Sequence, residues 1–393
     1  MDINYGENHN SINIIDKFIR ENEVFILYGE NQVSLNIEKV IKNKFKKSKF
    51  KYIEYNSRKE EVLELKDKII ITSYHEIKIA NELFQKFGFT YGKNFIFFDH
   101  ILNDDYLPKN SIGLEFINFY NQNKNKFQEV FNILSDEYSK KIFYKILNLR
   151  SNLLNIERIK LSDLPTSDEK QLDYENNAKL YLKDLTLIEN DNLKNHIAFT
   201  ISLNTYSYFD IVTPKNKKVI INAGAYNTTS VMFSYFSPSA KIYAFEPQKS
   251  IHQDNVLLSK KFKNIKPINS GIWEKTTKVS FNIEEDQYTA SSISKTGTNM
   301  IDVVSIDDFI LNKNIEKVDF IKMDIEGAEL EDLLGASTVI QTQKPDLAIS
   351  IYHKPEHLYE IPLLIKKLLP EYKVYIEHNY YNYTETVCFA TID

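Results

Sequence analysis

Residues 318–329, Val-Asp-Phe-Ile-Lys-Met-Asp-Ile-Glu-Gly-Ala-Glu, constrain the fold more than any other stretch of this chain. An apolar run ends in two alternating carboxylates, Asp324 and Glu326. Gly327 and Ala328 then open a segment with Leu330, Leu333 and Leu334 at helical spacing. A buried strand that stops at two acids and turns straight into a helix aims those acids at the carboxyl edge of a sheet, where open α/β sheets bind ligands. Gly327 permits the tight turn, and Ala328 lets helix and strand approach closely. The positive end of the helix dipole steadies the carboxylates. By itself such an acid contributes only about 0.3–1 kcal/mol and is commonly structural. Repetition of the strand-then-polar-tip design through the last half of the chain is what gives it weight.

At 393 residues the chain exceeds one ordinary core, so more than one domain is expected. Residues 1–107 read as a small parallel α/β domain, with strands near 23–29, 50–55, 68–73 and 94–99 and helices near 37–45 and 75–87. Residues 108–195 carry few strand signals and have apolar residues at three and four spacing over 127–149, which predicts a helical connector. Residues 196–393 form the second α/β domain. Its strands are expected at 218–222, 241–246, 265–268, 318–323, 346–351, 373–377 and 386–391, with added antiparallel strands at 278–282 and 302–305.

Net charge of −5 argues against a nucleic-acid footprint. Cys388 is the only cysteine, so intrachain disulfides and thiolate metal clusters are excluded and a reducing compartment is indicated. No apolar segment approaches the roughly 20 residues of a membrane span, and the first residues lack a signal-peptide layout. The cytoplasm is the expected location.

The polar strand tips suit a nucleoside. Gly224 follows the first strand of the second domain and lets backbone approach a ligand. Glu246 follows the second, where a carboxylate can accept both hydrogen bonds of a ribose diol. Ser270 and Gly271 follow the third and could flank an adenine edge, and Asp324 and Glu326 follow the fourth.

These residues also carry a resemblance. Gly224-Ala225, Ala-Phe-Glu-Pro at 244–247, Gly-Ile-Trp at 271–273, Ser-Ile-Asp-Asp at 305–308, the run 322–329, Gly335-Ala336 and Ser-Ile-Tyr-His-Lys-Pro at 350–355 make residues 219–391 similar to the FkbM family of S-adenosylmethionine-dependent methyltransferases. Segments 135–139 and 208–210 resemble stretches upstream of the core in longer members. The resemblance implies an α/β class I methyltransferase fold, a Rossmann-like seven-stranded sheet with one reversed strand. S-adenosylmethionine is the implied cofactor, and hydroxyl groups of sugars or polyketides are the usual acceptors. One departure stands out. Members usually show an acid and a second glycine around the first turn, and this chain has Asn-Ala-Gly-Ala-Tyr-Asn-Thr-Thr-Ser at 222–230.

The expected cofactor contacts are Asn222, Gly224, Ala225, Tyr226, Glu246, Pro247, Ser270, Gly271 and Asp324. Candidate bases for deprotonating a hydroxyl are Asp324, Glu326 and His353. Lys322 is expected to pair with a nearby carboxylate. A metal at Asp324 and Glu326 lacks a clear third ligand, so none is assigned. His378 and the tyrosine-rich run 380–383 read as an acceptor cleft or as a strand-loop surface. In the first domain Gly29 is the one glycine of a would-be nucleotide turn at 28–32, and Glu30 would repel a phosphate, so a structural, dimerising or acceptor-presenting role is favoured there. The leading reading is O-methylation of a sugar in bacterial surface or flagellar glycan biosynthesis, with a glycan acceptor as partner and a homodimer left open. N-methylation of a glycan-linked amine and a non-catalytic scaffold with a degenerate cofactor turn are the alternatives.

Overall fold

The computed structural model describes residues 24–29, 49–54, 68–72, 94–97, 113–152, 164–166, 168–282, 292–293, 299–380 and 383–392, with single positions 38, 79, 80, 83, 86, 88 and 89. The expected helices near 37–45 and 75–87 lie outside the described residues except at positions 38, 79, 80, 83 and 86, all helical. Residues 30–32 of the expected turn and Tyr381 of the tyrosine-rich run also lie outside them.

The chain divides into two compact units. The first contains a four-stranded sheet: β1 (Val24–Gly29), β2 (Lys49–Glu54), β3 (Ile69–Thr72) and β4 (Phe95–Phe97), in the order β2-β1-β3-β4. Every pairing is parallel. Phe25, Leu27, Ile69, Ile70, Ile71 and Phe95 are fully buried, as expected of parallel strands that read as unbroken apolar runs.

The second unit gathers Lys126–Ile142, Asp168–Asn379 and Glu385–Asp393. Its strands are β5 (Val219–Ala223), β6 (Lys241–Phe245), β7 (Ile265–Ile268), β8 (Gly271–Ile272), β9 (Thr277–Asn282), β10 (Ser292–Ile293), β11 (Asn299–Val304), β12 (Phe320–Met323), β13 (Asp346–Ser350), β14 (Lys373–His378) and β15 (Thr386–Thr391). Seven of them form one sheet in the order β14-β15-β13-β12-β5-β6-β7. Only β15 runs against its neighbours. The added strands β9 and β11 pair antiparallel in a separate small sheet with β8 and β10.

Helices Asp191–Leu203 and Asn227–Phe236 cover one face, where Ile197, Ile201, Val231, Met232 and Phe233 pack with Ile220, Ile242 and Phe320 in one buried cluster. The helix Asp191–Leu203 runs across residue 196, with Asn190 capping it by accepting from Leu193 N–H. Strand order reverses between β5 and β12, which opens a crevice at their carboxyl ends.

Candidate active site

The tips of β5, β6 and β12 are laced together by backbone. Ala225 N–H donates to Phe245 O at 2.9 Å on one side of the turn, and Asp324 N–H donates to Ala223 O at 3.2 Å on the other. Between them Gly224 has φ of 69°, and a Cβ there would collide with the Asp324 carbonyl oxygen. Only glycine satisfies both the left-handed backbone and the close approach. Glu246 and Asp324 therefore flank one turn on one rim.

Asn222 is fully buried. Its Nδ2 donates to Thr229 Oγ1 at 3.3 Å and Ser230 Oγ at 3.2 Å, while Oδ1 has no partner. The amide thus braces the helix that opens after the turn. Asn255, buried in helix Lys249–Ser259, donates to Ala225 O at 2.6 Å and pins the turn from behind. Tyr226 is 38% exposed beside it.

Glu246 Oε1 accepts from Gln248 N–H at 2.8 Å. Burial pushes this carboxyl up to about 7, opposed by that hydrogen bond and by Lys322. Asn269 donates to the carbonyls of Glu246 and Pro247. Ser270 donates to Asp302 O at 3.0 Å, and Gly271 packs close to Pro247 and Val303. These two build the rim's edge against the small sheet.

Asp324 is saturated. It accepts from Tyr206 Oη at 2.6 Å and Tyr352 Oη at 3.2 Å, and Lys322 Nζ lies 3.9 Å away. Burial alone would raise its pKa, but the charges of Lys322 and His353 and the Tyr206 hydroxyl outweigh that and hold it below the usual carboxylate range. Lys322 is itself buried and donates to the carbonyls of Ala223 and Gly224 at 3.1 and 2.7 Å, so the expected carboxylate pairing is joined by a grip on the turn.

His353 sits among three carboxylates. Nδ1 is 2.8 Å from Glu329 Oε1, and Nε2 is 3.4 Å from both Asp324 Oδ1 and Glu326 Oε2. Burial lowers its pKa, but the charges of Glu329 and Glu326 prevail and raise it to about 10. Glu329 is fully buried and accepts at Oε1 from Ile325 and Gly327 N–H; His357 Nδ1 lies 3.2 Å from its other oxygen. Glu326 is the freer acid: its side chain is 29% exposed, and burial raises it to about 8 against the pull of His353. Glu385, at the start of the reversed strand, is raised to about 7 by burial and by Asp324.

The structure places Gly224, Ala225, Asp324, Glu326 and His353 along one rim, with Glu246 at the neighbouring strand tip. Asn222 braces the turn from inside through Nδ2, while its Oδ1 stays without a donor. His378 is corrected outright: it is fully buried in β14 with Nδ1 2.8 Å from Thr386 Oγ1, so it belongs neither to a cleft nor to a surface. A trio other than the Asp324–Glu326 pair, Asp324, Glu329 and His353, brings potential ligand atoms within 4.8 Å of one another. Tyr206, Tyr352, Glu329, Asn255 and Glu385 were not singled out from sequence. Tyr206, in the turn after helix Asp191–Leu203, stands 118 residues from Asp324 in the chain, so their contact leaves no local signal.

A parallel-rich sheet with one reversed strand, polar tips at the switch point and helices on its faces is the class I methyltransferase fold, of Rossmann-like type. Residues 222–383 match the family model described as the methyltransferase FkbM domain. The crystal structure of methyltransferase FkbM from Methylobacillus flagellatus KT superposes with a TM-score of 0.58 at 17% identity, covering 98% of this chain and 94% of that one. Fibrillarin from Aeropyrum pernix, in complex with natively bound S-adenosyl-L-methionine, gives 0.30 at 12% identity over 45% of this chain and 67% of its own. Precorrin-6y C5,15-methyltransferase from Geobacter metallireducens GS-15 gives 0.30 at 12% identity, with coverage of 52% and 89%. No curated protein matches the chain.

Proposed function

We propose that this methyltransferase uses S-adenosylmethionine to methylate a hydroxyl group of a sugar in bacterial glycan biosynthesis, in the cytoplasm. The observation that carries the cofactor is the glycine turn held between Glu246 and Asp324 on one rim. The residues present suit that group. Asn222 Oδ1 is a buried acceptor without a donor, no side chain caps the helix Asn227–Phe236, and carboxyl groups outnumber cations around the rim. Glu246 would take the ribose hydroxyls, while Gly224 and Ala225 would offer backbone to the amino-acid tail.

When bound, S-adenosylmethionine supplies an electrophilic methyl group whose carbon–sulfur bond breaks as the acceptor oxygen bonds to carbon. The chain's task is to position that oxygen and receive its proton. Among the three candidate bases the geometry favours Glu326. Asp324 is filled by two tyrosine hydroxyls and Lys322. His353, raised to about 10, already holds its proton at neutral pH. Glu326, near 8, gives up its proton as pH passes through that value and can then accept one from the hydroxyl. His353 then serves as a fixed positive charge that orients Glu326, with Glu329 holding the imidazole from behind.

Calorimetry with S-adenosylmethionine and S-adenosylhomocysteine tests the reading. Binding in the micromolar range is expected, and no heat at millimolar ligand would return the chain to a scaffold role.

A further inference from the structure

The turn that brings backbone to the cofactor's amino-acid tail has its acceptors already in use. A backbone carbonyl oxygen has two lone pairs. At Ala223 O they take Lys322 Nζ at 3.1 Å and Asp324 N–H at 3.2 Å. At Gly224 O they take Lys322 Nζ at 2.7 Å and Tyr226 N–H at 3.0 Å. An ammonium arriving at the turn finds neither carbonyl open. Lys322 is fixed in this grip, because it is buried and stands opposite Asn222 in the register of β12 against β5.

That cross-strand neighbour is the residue by which this chain departs from the family pattern. An acid at position 222 would receive an ammonium as an ion pair. Asn222 is a neutral amide, and its orientation is settled by what it touches. Thr229 Oγ1 donates to Tyr226 O at 2.8 Å, so it turns its acceptor side to Asn222 Nδ2. Asn222 Oδ1 is fully buried and without a donor. It offers an ammonium a single uncharged acceptor where an acid would offer a charge.

Donors are better supplied. The ten-residue helix Asn227–Phe236 opens directly after the turn, and no side chain caps it. Thr229 and Ser230 N–H donate to Tyr226 O, so the earliest N–H groups of the helix and the positive end of its dipole are left for an anion. Lys322 adds a charge beneath the turn, shared with Asp324 at 3.9 Å. The seat is therefore short of acceptors and well provided with donors.

We propose that this chain recognises its cofactor chiefly by the carboxylate of the amino-acid tail, the tail ammonium being a minor contact. Lys322 and Asn222 set that preference: Lys322 fills the carbonyls an ammonium would use, and Asn222 withholds the negative charge that would hold it. The ligand class is an adenosyl thioether or sulfonium that bears a carboxylate. The proposal rests on the methyl-transfer reading above.

Calorimetry on the full chain with four uncharged-sulfur probes tests it. They are S-adenosylhomocysteine, its deaminated analogue (carboxylate kept), its decarboxylated analogue (ammonium kept) and 5′-methylthioadenosine (neither). The deaminated probe is expected within about threefold of S-adenosylhomocysteine, and the decarboxylated probe at least about tenfold weaker, close to 5′-methylthioadenosine. Asn222→Asp restores a charge and Lys322→Met releases both carbonyls, so each should shift the ratio of the two analogues toward the ammonium probe by at least about threefold. A ratio between two probes is not moved by a general loss of stability. Equal affinities of the two analogues, a preference for the decarboxylated one, or a ratio that neither variant changes would overturn the proposal. If neither variant folds, the ranking in the native chain decides. Failure of the methyl-transfer reading is distinguishable, because then none of the four probes binds, 5′-methylthioadenosine included.

Discussion

Asp324 and Glu326 stand two positions apart, yet their surroundings drive them in opposite directions. Asp324 is held ionised by Lys322, His353 and Tyr206 despite burial, whereas burial wins at Glu326 and lifts it to about 8. The alternation Asp-x-Glu is visible in sequence, but which acid is spare is decided by hydroxyls arriving from elsewhere in the chain. Because the base works in its deprotonated form, turnover should rise with pH through about 8. Glu326→Gln should lower kcat by about 10²–10⁴, flatten that profile and leave cofactor affinity nearly intact, all measurable by steady-state kinetics and calorimetry. A variant with native kcat would assign the proton to another group.

At the scale of elements, the decisive feature is the approach of the β5 turn to the β12 tip. Gly224→Ala forces a Cβ into the Asp324 carbonyl on a backbone with φ of 69°. The two tips must then part, and the Lys322 bonds to both carbonyls of the turn part with them. The expected outcome is loss of cofactor binding by calorimetry together with a lower melting temperature; unchanged affinity would show that the turn does not form the cofactor seat. The elements themselves were largely legible from sequence. All seven strands of the main sheet fall near their expected positions, and the central β5, β12 and β13 stand out because a strand buried on both faces leaves a nearly continuous apolar signature. One reversed strand was implied by the resemblance without saying which, and β9 and β11 of the small sheet were expected while β8 and β10 were not. Side chains that complete the site were not. Tyr206, Tyr352 and Asn255 look like ordinary loop or helix residues until the sheet brings them together. His378 shows the converse, a polar residue near an expected cleft whose full burial in β14 beside Thr386 makes it part of the core.

For the whole molecule, the cluster predicts how stability responds to pH. Glu246, Glu326 and Glu385 have folded values of about 7, 8 and 7, above the ordinary carboxyl range, so the folded chain binds extra protons from about pH 4.5 upward. His353, raised to about 10, contributes stability fully present below about 6.5 and lost as pH climbs through 10. In both cases the folded state holds more protons than the unfolded one, so stability falls as pH rises. The melting temperature of the ligand-free chain should decline steadily from pH 5 to 9 by differential scanning fluorimetry; a flat or rising curve would mean the cluster is not protonated as described. The position of β15 carries a practical lesson for anyone excising the catalytic core. The family match stops at residue 383, but β15 is wedged between β13 and β14. A fragment trimmed to the recognised limits would lose the middle plank of that side, along with Glu385 and, at the other end, Tyr206. Any minimal catalytic piece has to begin ahead of Tyr206 and run through Thr391.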